Sequence, residues 1–282
     1  MIKDKVCLIT GANSGIGFYT TLELARKGAK IVMLCRNKEK AEKAREDIHR
    51  ISGQKADLFL ADLGVQEEIR KVAEKISGTY DTIDVLVNNA GIIQGDKREF
   101  TPDGIEKTFA VNHLAPFMLT GLLLPALKQS AYGRIVTVSS EAHRWSRKFD
   151  LKDLQMDKGY SGLQSYAQSK LCNILFTRKL ADKLEGTTLT ANTLHPGAIA
   201  SNFGSEVNSL FGVVLKLSKP FMKGPKKGAE TSIFLAASEK VGGVNGAYFK
   251  NKKAVMPSKE AQSDHNADRL WEESVKLTGV DY

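Results

Sequence analysis

The 282-residue sequence predicts a single-domain α/β fold in which a parallel sheet is covered by helices on both faces, and three observations carry that prediction. Short apolar runs alternate with segments of helical period along nearly the whole chain, a glycine-rich loop joins the first run to the first helix, and no Pro/Gly/Ser-rich linker or internal repeat divides the sequence. With 42% hydrophobic and 26% charged residues the composition is globular, not disordered, collagenous or coiled-coil. A chain of this size buries roughly three quarters of its unfolded surface, so no disulfide is needed for stability.

The elements follow in order. Val6-Cys7-Leu8-Ile9 is a buried strand that runs into Thr10-Gly11, and a helix over residues 16–27 is stopped by Gly28. Residues 31–34 form a second strand, 38–51 a charged amphipathic helix, and 58–61 a third strand leading to Asp62. A helix near 66–76, the strand Val85-Leu86-Val87, a long helix between Asp103 and Lys128, and the strand Ile135-Val136-Thr137-Val138 continue the alternation. Beyond an irregular stretch come a helix over 165–184, a strand over 189–194, a loop opening with Pro196-Gly197, a helix near 227–237, and a last strand at 247–249. These make about seven strands. Parallel pairing follows because each connection is long enough for a helical crossover, and the function is expected at the carboxyl ends of the strands, where their order reverses. The tail 250–282 is polar, with one helical stretch near 267–277 that either docks on the body or makes a subunit contact.

The 41 basic and 32 acidic residues leave a formal charge of +9. The basic residues are scattered, with Lys223, Lys226 and Lys227 or Lys250, Lys252 and Lys253 the nearest to clusters, and no aromatics are interleaved to stack on bases, so no nucleic-acid partner is expected. Cys7, Cys35 and Cys172 are odd in number and far apart, and the five histidines have no ligand spacing. A reducing compartment and no metal are the expectation. The start of the chain lacks the pattern of a signal peptide, and the longest apolar stretches, around 119–127 and 210–217, fall short of the ~20 residues that span a bilayer. A soluble, cytoplasmic protein without a transmembrane segment is expected.

The loop Thr10-Gly11-Ala12-Asn13-Ser14-Gly15-Ile16-Gly17 stands between a strand and a helix, where its glycines allow a tight turn, close approach of backbone N–H groups to a pyrophosphate, and close helix packing. In that context it predicts dinucleotide binding through Gly11, Asn13, Ser14, Gly15, Ile16 and Gly17. The second strand ends without the acidic residue that would hold the ribose hydroxyls of NAD; it ends in Cys35-Arg36-Asn37-Lys38. Arg36 suits a 2′-phosphate, so NADP(H) is favoured over NAD(H), the alternative being a solvent-exposed arginine at a helix entrance. Asp62, with Leu63 beside it, is a further candidate contact through the adenine amino group, with capping of the following helix as the alternative.

The ordered set of this loop, Asn88-Asn89-Ala90-Gly91, Asn112, Ser139-Ser140, Tyr166-Ala167-Gln168-Ser169-Lys170 and Pro196-Gly197 resembles the short-chain dehydrogenase/reductase family over roughly residues 5–249. The Cys35-Arg36 strand end, the run Leu194-His195-Pro196-Gly197 and the 25 residues between Ser140 and Tyr166 resemble its retinol-dehydrogenase-like branch and related carbonyl reductases. The resemblance implies a Rossmann-like doubly wound sheet. It also implies that Lys170 holds the nicotinamide ribose, that Asn112 helps hold a water-mediated proton path, that Asn89, Ala90 and Gly91 line the nicotinamide side, and that Ile199, past Pro196-Gly197, contacts the carboxamide. A homo-oligomer is a further implication of the family.

Residue chemistry points the same way. Tyr166 and Lys170 are four apart on a predicted helix and share a face, so the ammonium is expected to favour the phenolate of a group whose free pKa is ~10. Tyr166 then acts as general acid in carbonyl reduction and general base in alcohol oxidation, and Ser140 hydrogen-bonds the substrate oxygen. Ser139, its neighbour on the strand, points the opposite way. Selectivity is expected in the loops 141–165 and 198–227; the second carries Phe203, Leu210, Phe211, Leu217, Phe221 and Met222, enough apolar surface for a lipophilic pocket or for helix packing. The expected partner is a small carbonyl or alcohol, retinoid-like, steroid-like or an aromatic ketone. The alternative is a catalytically silent NADP(H)-sensing protein of the same fold.

Overall fold

The computed structural model describes residues 2–146, 149–197 and 224–282. Ile199, the apolar run of 203–222 and the stretch 210–217 lie outside the described residues. Among the described residues eight strands form one sheet: β1 (Val6–Thr10), β2 (Lys30–Cys35), β3 (Ala56–Leu60), β4 (Val85–Asn88), β5 (Arg134–Val138), β6 (Thr190–His195), β7 (Tyr248–Lys250) and β8 (Lys253–Ala254). Their order is β3-β2-β1-β4-β5-β6-β7-β8; all neighbours are parallel except β7 and β8. The chain thus winds outward in one direction from β1 and in the other from β4. β1 and β4 lie side by side with Cys7, Leu8 and Ile9 opposite Val85, Leu86 and Val87. Their carboxyl ends therefore open the crevice where a doubly wound sheet takes its ligand.

Strand alternation sorts the core into two layers. Leu8, Val32, Leu34, Leu86 and Ile135 face a layer built with α3 (Gln66–Ser77), α5 (Ala115–Lys128) and α6 (Gly162–Lys183). Cys7, Ile9, Ile31, Met33 and Val87 face the opposite layer, with α1 (Gly15–Arg26), α2 (Lys38–Ser52) and α7 (Pro225–Ala237). Both faces of the sheet are covered, which is why its strands read as continuous apolar runs.

β3 and α6 begin earlier than the sequence expectation, at Ala56 and Gly162, and three further elements differ from it. The long helix expected from Asp103 begins only at Lys107, where the Glu106 carboxylate accepts the N–H groups of Thr108 and Phe109, and it changes winding: a short α4 (Lys107–Phe109) passes through a π turn (Ala110–Leu114) into α5. This stretch, residues 107–128, is long and apolar enough to cross a membrane, but most of it is buried inside the protein, as in a core helix. An eighth strand folds back on β7 through Asn251 and Lys252, both with positive φ, the two-residue turn that matches strand twist. The last helix, α8 (Asp264–Thr278), starts three residues earlier than expected because Ser263 caps it through the N–H of Asn266. The tail docks on its own chain: Trp271 packs against Phe117 and Phe176, and the Tyr282 hydroxyl donates to the Phe117 carbonyl at 2.9 Å.

Candidate active site

At the end of β1 the chain turns through Gly11 and Gly15, with φ of +65° and +54°, values that glycine adopts without strain. A Cβ on Gly17 would lie 2.2 Å from the Gly11 carbonyl oxygen and 2.5 Å from Asn89 Nδ2. The loop therefore closes down on α1 and on the β4 loop at once. Thr10 ties the two loops together: its hydroxyl accepts the N–H groups of Asn89 and Ala90, both at 2.9 Å, while Asn89 Nδ2 donates to the Thr10 carbonyl at 2.8 Å. Ser14 is the N-cap of α1 but makes no side-chain capping bond, and the first turn carries no acidic residue. Among the described residues no side chain caps the N-terminal amides of α1, the arrangement that receives an anion. Asn13 and Ile16 are half-buried in this loop, and Ser14 is exposed. Beneath the loop Cys35 meets the amides of Ala12 and Asn13, and burial pushes its thiol up to about 11.

Arg36 projects into solvent, 64% exposed, with Nη1 3.6 Å from Asp62 Oδ2. Asp62 does not cap α3, whose N-cap is Val65; its Oδ1 instead accepts the N–H of Gly64 at 2.8 Å. Leu63 packs half-buried against the core on the α3 side.

Across the crevice, a Cβ on Gly91 would stand 3.2 Å from Asn112 Oδ1 and 3.4 Å from Lys170 Nζ, so a bare backbone at this point lets both side chains approach. Asn112 is fully buried in the π turn, whose extra residue re-aims the side chain. Its Oδ1 accepts the Ile92 N–H at 2.7 Å, and its Nδ2 donates to the Ile92 carbonyl and to Ser169 Oγ, both at 2.9 Å.

Ser140 follows β5 and caps a 3₁₀ turn (Glu141–Trp145), its Oγ accepting the Ala142 N–H at 3.1 Å. The same hydroxyl stands close enough to Tyr166 to pull its phenol downward. Ser139 points the other way and donates to the Lys170 carbonyl at 2.6 Å, as alternation along the strand predicts. Lys170 is 3% exposed; its ammonium donates to the Val138 carbonyl at 2.9 Å and lies 5.6 Å from the centroid of the Tyr166 ring. Burial lowers Lys170 to about 8. Burial also raises the Tyr166 phenol to about 12, with the Ser140 hydroxyl pulling the other way. The lowering of the phenol expected from the cation does not prevail here, because burial of the ring is the larger effect. Pro196 and Gly197 leave β6 with Gly197 at φ +101°.

Residues 5–210 match the family model for short chain dehydrogenase. The chain belongs to this family. Curated relatives of this short-chain dehydrogenase include retinol dehydrogenase 14 of Mus musculus, 39% identical over 99% of this chain and 87% of the relative, and retinol dehydrogenase 12 of Homo sapiens, 40% identical over 99% and 88%. Among solved structures, an uncharacterised protein from Mycobacterium paratuberculosis superposes with a TM-score of 0.79 at 31% identity, covering 100% of this chain and 96% of the other. A short chain dehydrogenase from Escherichia coli CFT073, solved with NADPH, gives 0.71 at 26% identity, covering 88% and 96%. The protein is an oxidoreductase of the kind that interconverts CH–OH and C=O groups using NAD(P)(H).

Sequence reasoning missed several side chains that hold this short-chain dehydrogenase site in shape. Glu106 is 1% exposed and, besides capping α4, accepts from Ser165 Oγ at 3.0 Å and from the Tyr160 hydroxyl at 3.2 Å. It joins the helix that carries Asn112 to the start of the helix that carries Tyr166. Glu141 accepts from the Tyr248 hydroxyl at 2.7 Å and from Lys250 Nζ at 3.0 Å, and its own N–H donates to His195 Nδ1 at 3.2 Å. Burial alone would raise the Glu141 carboxyl, but Tyr248, Lys250 and Arg144 together hold it at about 2. Apart from Arg144 and the α4 amides, these partners are 54 to 109 residues away in sequence, and no local motif announces them.

Proposed function

We propose that this enzyme is an NADP(H)-dependent oxidoreductase acting on a hydrophobic carbonyl/alcohol pair, with Tyr166 as its general acid and base. The observation that carries the reading is the grouping at the carboxyl end of the sheet of the Ser140 hydroxyl, Tyr166 and the buried Lys170, whose ammonium lies 5.6 Å from the Tyr166 ring. The cradle fits a dinucleotide: Gly11 and Gly15 have positive φ, a Cβ on Gly17 would fill the close approach, and α1 begins without a side-chain cap. Gly11, Asn13, Ser14, Gly15, Ile16 and Gly17 would hold the pyrophosphate, Arg36 the 2′-phosphate, Asp62 and Leu63 the adenine side, and Asn89, Ala90, Gly91, Pro196, Gly197 and Ile199 the nicotinamide end. When bound, the nicotinamide supplies or accepts the hydride.

The chain's own residues do the rest. In reduction Tyr166 gives its phenol proton to the carbonyl oxygen, and in oxidation it takes the proton back; Ser140 hydrogen-bonds the same oxygen while charge develops on it. Lys170, which changes charge near pH 8, favours the phenolate in its charged form and is the neighbour through which that proton is replaced. Asn112 holds Ile92 and Ser169 in place around it. A hydrophobic substrate is supported by relatives named retinol dehydrogenases, and a reducing, cytoplasmic setting by three buried cysteines that are unbonded.

The test is oxidation of NADPH and NADH against a panel of hydrophobic and polar carbonyls, with Tyr166→Phe and Arg36→Ala alongside. Tyr166→Phe should lose at least about 100-fold in turnover while still binding NADPH. Arg36→Ala should lose about tenfold in NADPH affinity and nothing for NADH. Tight NADPH binding without turnover in either direction would instead favour a sensing role, and a preference for small polar carbonyls would overturn the substrate assignment.

A further inference from the structure

The turn after Ser140 carries a buried imidazole that the proposed chemistry does not use. His143 is 1% exposed. Its Nδ1 lies 2.6 Å from the Ser140 carbonyl oxygen, and its Nε2 lies 3.1 Å from the backbone nitrogen of Ser258, which belongs to the segment after β8. A carbonyl can only accept, so Nδ1 carries a proton; an amide can only donate, so Nε2 presents its lone pair. Only the neutral Nδ1–H tautomer meets both demands. The ring is therefore a fixed link between a segment 115 residues away and the backbone of Ser140. It also stands edge-on to Tyr248, with ring centroids 5.2 Å apart. A second tie runs beside it, from Arg144 Nη2 to the Met256 carbonyl at 2.7 Å.

We propose that His143 is a positioning residue through which the segment after β8 holds the Ser140 turn, and with it the hydroxyl that meets Tyr166. The Ser140 carbonyl receives two bonds from the same residue, the His143 N–H at 3.1 Å and its Nδ1–H, while Ser140 Oγ accepts the Ala142 N–H. With that amide occupying one lone pair, the direction of the hydroxyl is set by where the turn sits, and the turn sits where His143 pins it. The segment has other anchors, including the buried Ala261 and the bond from Arg144 Nη2 to the Met256 carbonyl. Docking of the segment therefore does not depend on His143 alone; what His143 adds is a bond that ends on the residue assigned to the substrate oxygen. The inference rests on the catalytic reading of Ser140.

Two substitutions separate the two ends of the ring. In His143→Asn the side-chain amide nitrogen stands where Nδ1 stood and keeps the bond to Ser140, while the bond to Ser258 is lost. In His143→Gln the amide oxygen stands near Nε2 and keeps Ser258, while the Ser140 carbonyl loses the side-chain donor and keeps only the backbone N–H of residue 143. Full-length His143→Gln should lose about tenfold in kcat with little change in KM, and His143→Asn should stay within about threefold of wild type. Backbone amide hydrogen exchange, which needs no turnover, should show the crossed pattern: faster exchange at Ala142 in His143→Gln, and faster exchange at Ser258 in His143→Asn. Equal loss of kcat in both variants, no loss in either, or the same exchange pattern in both would overturn the proposal. If wild type turns over no carbonyl or alcohol, the catalytic reading of Ser140 fails, and the crossed exchange pattern alone still decides whether the tie exists.

Discussion

The two sides of the crevice are built by different means. On the β1 side the shape comes from backbone: Gly11 and Gly15 turn the chain, Gly17 lets α1 approach, and one threonine hydroxyl binds the loop to the end of β4. On the β5 side it comes from side chains that reach across the fold: Glu106 to Ser165 and Tyr160, Glu141 to Tyr248 and Lys250, His143 to Ser258. A backbone cradle tolerates no added atom, whereas a side-chain network fails one bond at a time. The first kind suits a ligand with fixed phosphate geometry; the second can be altered at the substrate end without disturbing the first.

The largest expected effect is therefore on the cradle side. Gly17→Ala puts a methyl group 2.2 Å from the Gly11 carbonyl oxygen, a backbone atom that cannot step aside, so NADPH affinity should fall by at least about 100-fold with a stability loss of about 1–3 kcal/mol. Calorimetric titration and thermal melts check both, and an unchanged NADPH affinity would break the distinction between the two sides.

Next is Glu106→Ala. It leaves the N–H groups of Thr108 and Phe109 and two hydroxyls without their buried acceptor and should cost about 2–4 kcal/mol. In the folded fraction kcat should fall more than NADPH affinity, because Glu106 braces the helices of Asn112 and Tyr166 and not the glycine loop. Denaturant melts with parallel kinetics read the two quantities separately.

This division also explains how much was legible in the sequence. The glycine loop, the β4 loop, Ser140, Tyr166 and Lys170 stand out because each is a local pattern at a strand end or on one helix face, and the alternation of runs and helices was enough for the doubly wound sheet. Asn112 is expected within one long helix, with a helix irregularity as the alternative, and the structure has a π turn there. The hairpin at Asn251-Lys252 escaped because lysine is not a usual positive-φ residue. Glu106, Glu141 and His143 were unreadable for a plainer reason. Glu106 meets Tyr160 and Ser165 only when α4 packs at the start of α6, and Glu141 and His143 meet theirs only when the turn after β5 meets β7 and the segment after β8; nothing near them in the chain marks a carboxylate or an imidazole as buried and bonded.

The smallest effect is electrostatic and belongs to the β5 side. The Glu141 carboxyl is held at about 2, below its unfolded value, so its contribution to stability is fully present above the ordinary carboxylate range and is lost as pH falls from there through about 2. The contribution should be about 1–2 kcal/mol, reduced because Lys250 is 42% exposed and solvent screens the pair. Melting temperatures between pH 5 and pH 2 should fall less steeply in Glu141→Gln than in wild type, with glycine-loop properties unchanged.

The central claim is direct hydride transfer at the meeting of the cradle and the Ser140, Tyr166, Lys170 cluster. Reduction of a hydrophobic ketone with NADPH deuterated at the nicotinamide C4 tests it most directly. With deuterium on the transferring face, the product alcohol should carry one deuterium on its carbinol carbon, and Tyr166→Phe should form that labelled alcohol at least about 100-fold more slowly. A carbinol carbon without deuterium for either face of the label, or a labelled product formed equally well by Tyr166→Phe, would contradict the account.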